Sequence, residues 1–386
     1  MNEAQAGRAA ADSGPSERSS GAIPFTGLVA SLPSAIPFVG PEALERRRQR
    51  RFRARIGANE SAFGMSPAAA EAMRRAVGES AWYGDPENHD LREALAAHHR
   101  VSPDEICVDA GIDSLLGLAV RMTVTPGTPV VSSLGAYPTF NYHVAGFGGR
   151  LEAVPYRDDH EDPDALAERQ RQTAAPLVYL ANPDNPMGTW HPVERIAAFI
   201  DRLPGGCLLL LDEAYGEFAP PGSLAPLDTG DPRVLRLRTF SKAYGMAGAR
   251  VGYAIGHREL ITGLNKIRNH FGVSRMAQAG ALAALGDSGF LAEVGRAVTA
   301  GRARVAAFAQ RLGLCSLPSA TNFVAVDLGS PTRAKAMLDA LACADVFIRM
   351  PGVPPLNRCV RVGVGRDDEM TVFEHAFEAA LPGLPD

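Results

Sequence analysis

The sequence predicts an α/β protein in which a mainly parallel seven-stranded sheet flanked by helices leads into a smaller α+β domain. Three observations point there. From about residue 60, short apolar runs alternate with helix-like stretches, the pattern of strands covered by helices on both faces. Several of those runs end abruptly in polar residues, as strands do at the ligand-binding edge of such a sheet. After about residue 270 the texture changes to long Ala-rich stretches with fewer strand-like runs.

Residues 1–20 are mostly Ala, Ser, Gly, Glu and Arg without an apolar core segment. They read as a disordered tail rather than a signal peptide. Residues 21–58 form an arm: Ala22 to Gly40 is apolar, but Pro24, Pro33 and Pro37 interrupt it. Within the arm, Arg46, Arg47, Arg48, Arg50, Arg51, Arg53 and Arg55 follow Glu42 and Glu45. Such a run reads either as a solvated helical face or as an attractor for an anionic ligand.

The large domain spans 59–270. Ser66-Pro67 starts a helix, with a capping side chain before proline at the first helical position. A second helix, about Asp90 to His99, places Leu91, Leu95 and His98 on one face. Strands are expected at Glu105–Asp109, Pro129–Ser132, Leu151–Val154, Leu177–Ala181, Cys207–Asp212, Val234–Arg238 and Arg250–Ile255. Helices near 113–122, 138–146, 163–173 and 192–202 separate most of them. The last two strands, joined by the short segment around Lys242, leave room for one antiparallel strand. The small domain, 271–386, holds helices at 274–286, 288–312 and 332–342, and strands at Asn322–Asp327, Val346–Arg349 and Cys359–Val364.

Composition bounds the function. Hydrophobic residues make up 46% and charged residues 21%, the balance of a soluble globular protein. A net charge of -4 argues against nucleic-acid or anionic-membrane partners. No run approaches the roughly 20 apolar residues that span a bilayer. Five scattered cysteines without metal-ligand spacing point to reduced thiols in a cytoplasmic protein and to no metal site.

The chain has three lysines, Lys242, Lys266 and Lys335. The last two sit in surface-helix contexts. Lys242 lies in Thr239-Phe240-Ser241-Lys242-Ala243-Tyr244-Gly245-Met246-Ala247-Gly248-Ala249-Arg250. Hydroxyls and a guanidinium at a strand end suit a phosphate dianion. An amine beside that phosphate can bond covalently to an aldehyde on the same ligand. Upstream, Leu208-Leu209-Leu210-Leu211-Asp212-Glu213-Ala214-Tyr215 is an apolar strand ending in carboxylates, with a metal ligand or a helix cap as the alternatives for Asp212. Ala181-Asn182-Pro183-Asp184-Asn185-Pro186-Met187-Gly188-Thr189 also follows an apolar strand. Its prolines hold Asn185 rigidly, with a cis bond placed before Pro186.

Asn-Pro-x-Asn-Pro-x-Gly-Thr, Asp-Glu-Ala-Tyr and Ser-Lys-Ala-Tyr-Gly-Met-Ala-Gly-x-Arg, in this order, resemble the fold-type I aminotransferases that use pyridoxal 5′-phosphate (PLP). The closest resemblance is to their histidinol-phosphate aminotransferase branch, from about Asn59 to the C-terminal helix. The resemblance implies the large domain of the PLP-transferase fold, transfer of an amino group between an amino acid and a 2-oxo acid, and a homodimer with shared active sites. It implies that Lys242 carries the cofactor and shuttles a proton, and that Asp212 keeps the pyridine nitrogen protonated. Tyr215 and Asn185 would bond the phenolate oxygen. Thr239, Ser241 and Arg250 would grip the phosphate, with the backbone of Gly111, Ile112 and Asp113 at a helix start. Tyr137 would stack on the ring, and Tyr83 would reach the phosphate from a neighbouring subunit. Arg361 would take the substrate carboxylate, with Arg349 and Asn322 in the same pocket. Phe63 stands where the branch commonly has a substrate-contacting tyrosine. The chain also departs from the branch at His270 and Gly272, within Arg268-Asn269-His270-Phe271-Gly272-Val273.

Overall fold

A computed structural model describes residues 23–33 and 39–385. The tail expected over 1–20 lies outside the described residues. In the leading unit, Gly27–Ser31 form a short helix whose start is capped by Thr26, its Oγ1 accepting from Val29 N at 3.2 Å.

The strands in chain order are β1 (Ala54–Arg55), β2 (Ile106–Asp109), β3 (Pro129–Ser133), β4 (Arg150–Val154), β5 (Leu177–Ala181), β6 (Leu208–Asp212), β7 (Val234–Thr239), β8 (Gly252–Gly256), β9 (Cys315–Ser316), β10 (Phe323–Asp327), β11 (Val346–Phe347) and β12 (Cys359–Gly363). Seven of them form one sheet in the order β2-β8-β7-β6-β5-β3-β4. β8 runs antiparallel to both neighbours, and all other pairs are parallel. The single reversed strand is the one expected beyond Lys242.

Both faces of the sheet are covered, which is why its strands read as continuous apolar runs. Leu177, Tyr179 and Ala181 share a core with Leu208, Leu210, Leu235 and Leu237, under the helix Ile112–Thr123. The alternate residues Val178, Leu180, Leu209 and Leu211 pack on the opposite face against Ile196 and Phe199 of the helix Val193–Arg202. The period of two therefore carries Asp212 and Thr239 onto the face of Tyr179.

A separate apolar cluster joins Val305, Phe308, Val324, Val326, Leu341, Val360 and Phe373. β10 lies between β9 and β12, antiparallel to both. Ala54 and Ile56, which the sequence assigned to the arm, belong to this same cluster. β1 pairs in parallel with β11, and Gly363 N donates to Ile56 O at 2.7 Å. Two-residue strands such as β1 and β9 have no period to read, so neither was expected.

Three details differ from expectation. In the helix His89–His99 the buried residues are Leu91, Leu95 and Ala96. His98 is exposed, and His99 turns inward instead, its Nε2 lying 2.9 Å from Tyr253 Oη. A spacing of four from Leu95 wins over a spacing of three. The cis bond falls at Asn182-Pro183, not before Pro186. The arginine run is not one solvated face either: its helix ends at Arg48, and both Arg48 and Arg50 pair with the buried Asp345. A buried carboxylate needs paired charge, and these two arginines supply it. Among the described residues, no helix is long and apolar enough to cross a membrane.

Candidate active site

The carboxyl ends of β5, β6 and β7 meet the loop that follows β7 around a cavity of about 340 Å³. Ile112, Asp113, Tyr137 and Asn185 line it, as do Asp212, Tyr215, Thr239, Ser241, Lys242 and Arg250.

Asp212 ends β6 with its side chain buried. Its Oδ2 accepts from Tyr179 Oη at 2.8 Å and its Oδ1 from Ala214 N at 2.9 Å. Burial pushes its carboxyl up to about 6, against the pull of these two donors. Among the described residues no cationic side chain pairs with it. A buried carboxylate, oriented but lacking a cation, is a receptor for a positively charged group.

The loop after β7 folds back on itself. Ser241 N donates to Thr239 Oγ1 at 3.0 Å, and Arg250 donates to Ala247 O at 3.0 Å and to Ser241 Oγ at 3.4 Å. Arg250 also pairs with Asp113 at 3.3 Å, at the start of the helix Ile112–Thr123. No side chain caps that helix, whose N-cap is Gly111 at φ 85°. A Cβ at Gly111 would lie 2.5 Å from Arg250 Nη2, so glycine is what lets the guanidinium approach. Uncapped N–H groups, a guanidinium and two hydroxyls make an anion cradle.

Lys242 Nζ donates to Asn59 O at 3.2 Å and sits 5.8 Å from the Tyr215 ring centre. Burial lowers its pKa to about 8, and the nearby Arg361 adds to that. The Tyr215 hydroxyl accepts from Asn59 Nδ2 at 2.7 Å. Asn185 is presented by a tight turn: Asp184 N donates to Thr189 O, and Met187 N to Asp184 Oδ2 at 2.9 Å. Its Oδ1 accepts from Arg361 Nη1, whose guanidinium lies 5.1 Å over the Phe323 ring. Among the described residues, the buried Arg361 Nε has no partner. Tyr137 donates to Asp113 Oδ1 at 2.7 Å.

Other expected residues stand further off. Arg349 neighbours Arg361 on the adjoining segment, Arg361 N donating to Arg349 O at 2.6 Å, and its guanidinium donates to Val39 O. Phe63 packs against the cluster of Tyr215, Phe218 and Phe323 and lines a surface groove with Val294. Tyr83 is 78% exposed, its ring 4.7 Å from Phe271. Sequence reasoning missed two site residues, Asn59 and Tyr179. It also missed Gly40, Pro41 and Glu42, at the start of the helix Pro41–Arg48, which line the cavity. Tyr179 comes onto the face of Asp212 only through the register of β5 against β6, which the sequence does not carry. Asn59 carried no local signal.

The donor set fits PLP. A buried carboxylate without a cation, a hydroxyl and an amide at mid-cavity, an amine and an anion cradle match its ring nitrogen, phenolate oxygen, aldehyde and phosphate in turn.

The family model for aminotransferase class I and II matches residues 55–377. Histidinol-phosphate aminotransferase 2 of Ralstonia nicotianae is 37% identical over 332 residues, covering 85% of this chain and 88% of its own. The histidinol-phosphate aminotransferase of an Anaeromyxobacter species is 37% identical over 350 residues, 88% of this chain and 95% of its own. The crystal structure of histidinol-phosphate aminotransferase from Sinorhizobium meliloti, in complex with pyridoxal-5′-phosphate, superposes with a TM-score of 0.90 at 52% identity. That match covers 93% of this chain and 98% of the other. With the fold, the cavity and these relatives in agreement, the chain belongs to the class I and II aminotransferases.

Proposed function

We propose that this aminotransferase uses PLP held on Lys242 to move an amino group between an L-amino acid, or an amino alcohol phosphate such as histidinol phosphate, and a 2-oxo acid. The observation that carries the reading is one cavity holding the Lys242 amine, the unpaired Asp212 carboxylate and the Arg250 cradle at a helix start. Bound PLP supplies the electron sink that makes the substrate Cα–H bond acidic.

The protein's own residues do the rest. Lys242 Nζ would take the proton from the substrate Cα and shuttle it between substrate and cofactor, a task suited to an amine brought near neutral pH by burial. Asp212 holds the proton on the ring nitrogen, because a low-dielectric carboxylate favours a cationic partner. Tyr215 and Asn185 would donate to the phenolate oxygen. Thr239, Ser241, Arg250 and the backbone of Ile112 and Asp113 would hold the phosphate, and Tyr137 would stack on the ring. Gly111, whose own N–H donates to Asp109 O at 2.7 Å, leaves room for the guanidinium instead. Arg361 takes the substrate carboxylate as a planar fork, with Arg349 beside it and Phe63 toward the substrate's far end.

Tyr83 points outward on its own subunit, which supports a homodimer in which it completes the neighbour's phosphate site. The unpaired cysteines support a cytoplasmic location. The relatives' names support histidinol phosphate as donor; His270, Gly272 and Phe63 are the departures to weigh against it. The test is to load the protein with PLP, follow loss of its visible band with histidinol phosphate and with a panel of L-amino acids, then add a 2-oxo acid. Transamination restores the band; a decarboxylase, lyase or cyclase on the same fold would not restore it. Protein that stays colourless with PLP overturns the reading.

A further inference from the structure

We propose that Asn59 is a positioning residue for the reaction: its side-chain amide fixes the Tyr215 hydroxyl, and its backbone carbonyl holds the Lys242 amine. The inference rests on the reading above, that PLP is held at Lys242.

Asn59 is 4% exposed and lies in the left-handed region at φ 57°, where asparagine is better tolerated than most residues. That conformation lets one residue face two groups. Its Nδ2 donates to Tyr215 Oη at 2.7 Å, and its carbonyl accepts from Lys242 Nζ at 3.2 Å. The segment is clamped from the other side by the buried Asn322, whose Nδ2 donates to the carbonyls of both Asn59 and Glu60 at 3.2 Å. Arg361 reaches the same segment at Gly57 O, 3.5 Å away. The strand of chain from 57 to 60 thus touches the amine, the tyrosine and the substrate-facing arginine together.

The polarity of the Asn59–Tyr215 bond decides its use. A phenol carries one donor and two acceptor positions. With Asn59 Nδ2 occupying one acceptor position, the phenol's own hydrogen finds no acceptor among the described residues. It is left for the anionic oxygen of the cofactor. Reversing the Asn59 amide would capture that hydrogen and bury two unpartnered donors; among the described residues, the orientation seen leaves only Oδ1 without a partner. The Lys242 amine spends one N–H on the Asn59 carbonyl, which limits its rotation while its lone pair stays available when neutral.

A donor on the phenolate oxygen competes with the proton that oxygen shares with its neighbouring nitrogen, so losing the donor raises the pH midpoint of the bound cofactor's visible band. Asn59→Asp places an acceptor where the donor was and turns the Tyr215 hydrogen away. We expect its midpoint to rise by about one pH unit or more, and that of Asn59→Ala by less. In a Tyr215→Phe background the Asn59→Ala shift should vanish, because the amide then has no hydroxyl to orient. Spectrophotometric pH titration of the loaded variants reads all of this, and cofactor stoichiometry checks that each is folded. A wild-type midpoint in Asn59→Asp, or an Asn59→Ala shift undiminished by Tyr215→Phe, overturns the proposal. Where Asn59→Asp does not fold, the two Asn59→Ala measurements carry the test alone. If the unaltered protein develops no band, it is the cofactor reading that fails.

Discussion

Tyr179 reaches across from the neighbouring strand to donate its phenolic hydrogen to Asp212 Oδ2 at 2.8 Å. The two are diagonal neighbours, since Ala181 is the residue paired with Asp212. The bond favours the charged carboxylate against burial, which otherwise pushes it upward. Tyr179→Phe should therefore raise the Asp212 pKa further above 6. The protonated acid cannot pair with a ring cation, so the acid limb of cofactor affinity should move to higher pH. A shift of about one unit, or roughly tenfold weaker binding on the acid side, is the expected size. Cofactor titrations across the acid-to-neutral range measure it; an unmoved limb would argue that Tyr179 only packs.

Lys242→Ala should leave the fold intact and cut turnover by at least ~100-fold, with the covalently held visible band lost. Stopped kinetics and the absorbance spectrum check both.

The depressed amine also predicts the pH course of cofactor loading. Only the neutral amine attacks an aldehyde, and burial lowers Lys242 from 10.5 to about 8. The loading rate of the apoprotein should climb with pH and level off above about 8 rather than above 10. Stability follows the same sign. Between about 8 and 10.5 the unfolded chain holds a proton that the folded apoprotein lacks, so this group's contribution improves as pH rises through that window. A loading rate still rising past pH 9 would contradict the burial of the amine.

Arg361→Lys keeps the charge but loses the planar fork that contacts Asn185 and stacks over Phe323. KM for the amino acid should rise about 10- to 100-fold with a smaller change in kcat. Steady-state kinetics separates the two; equal losses in both would place the arginine in the proton-transfer step instead.

Gly245 adopts φ 68°, and a Cβ there would be driven into the Gly64 carbonyl. Gly245→Ala should cost about 3 kcal/mol or more, read as a lower urea midpoint, because neither backbone can yield without moving the Lys242 loop.

Much of the site was legible because its chemistry sits in contiguous motifs at strand ends. Lys242, Asp212, Tyr215 and Asn185 each follow a short, largely apolar run that announced a buried strand. Asn59 escaped because its role comes from a left-handed backbone and two contacts distant in sequence, neither of which leaves a pattern. Tyr179 escaped for the opposite reason, since a tyrosine inside Leu177–Ala181 is indistinguishable from core until the facing strand is known. The inward turn of His99 over His98 depended on where Tyr253 lies across the sheet.

The pairing of β1 with β11 bears on how the molecule is made. Arg48 and Asp345, which flank that pairing, are 297 positions apart. A ribosome must deliver the chain as far as β11 before residues 54–56 can dock, and until then Asn59, a few residues along, has no anchorage beside the amine. Competence for catalysis thus waits for β11 to be synthesised, so ribosome-bound nascent chains truncated before Val346 should lack it.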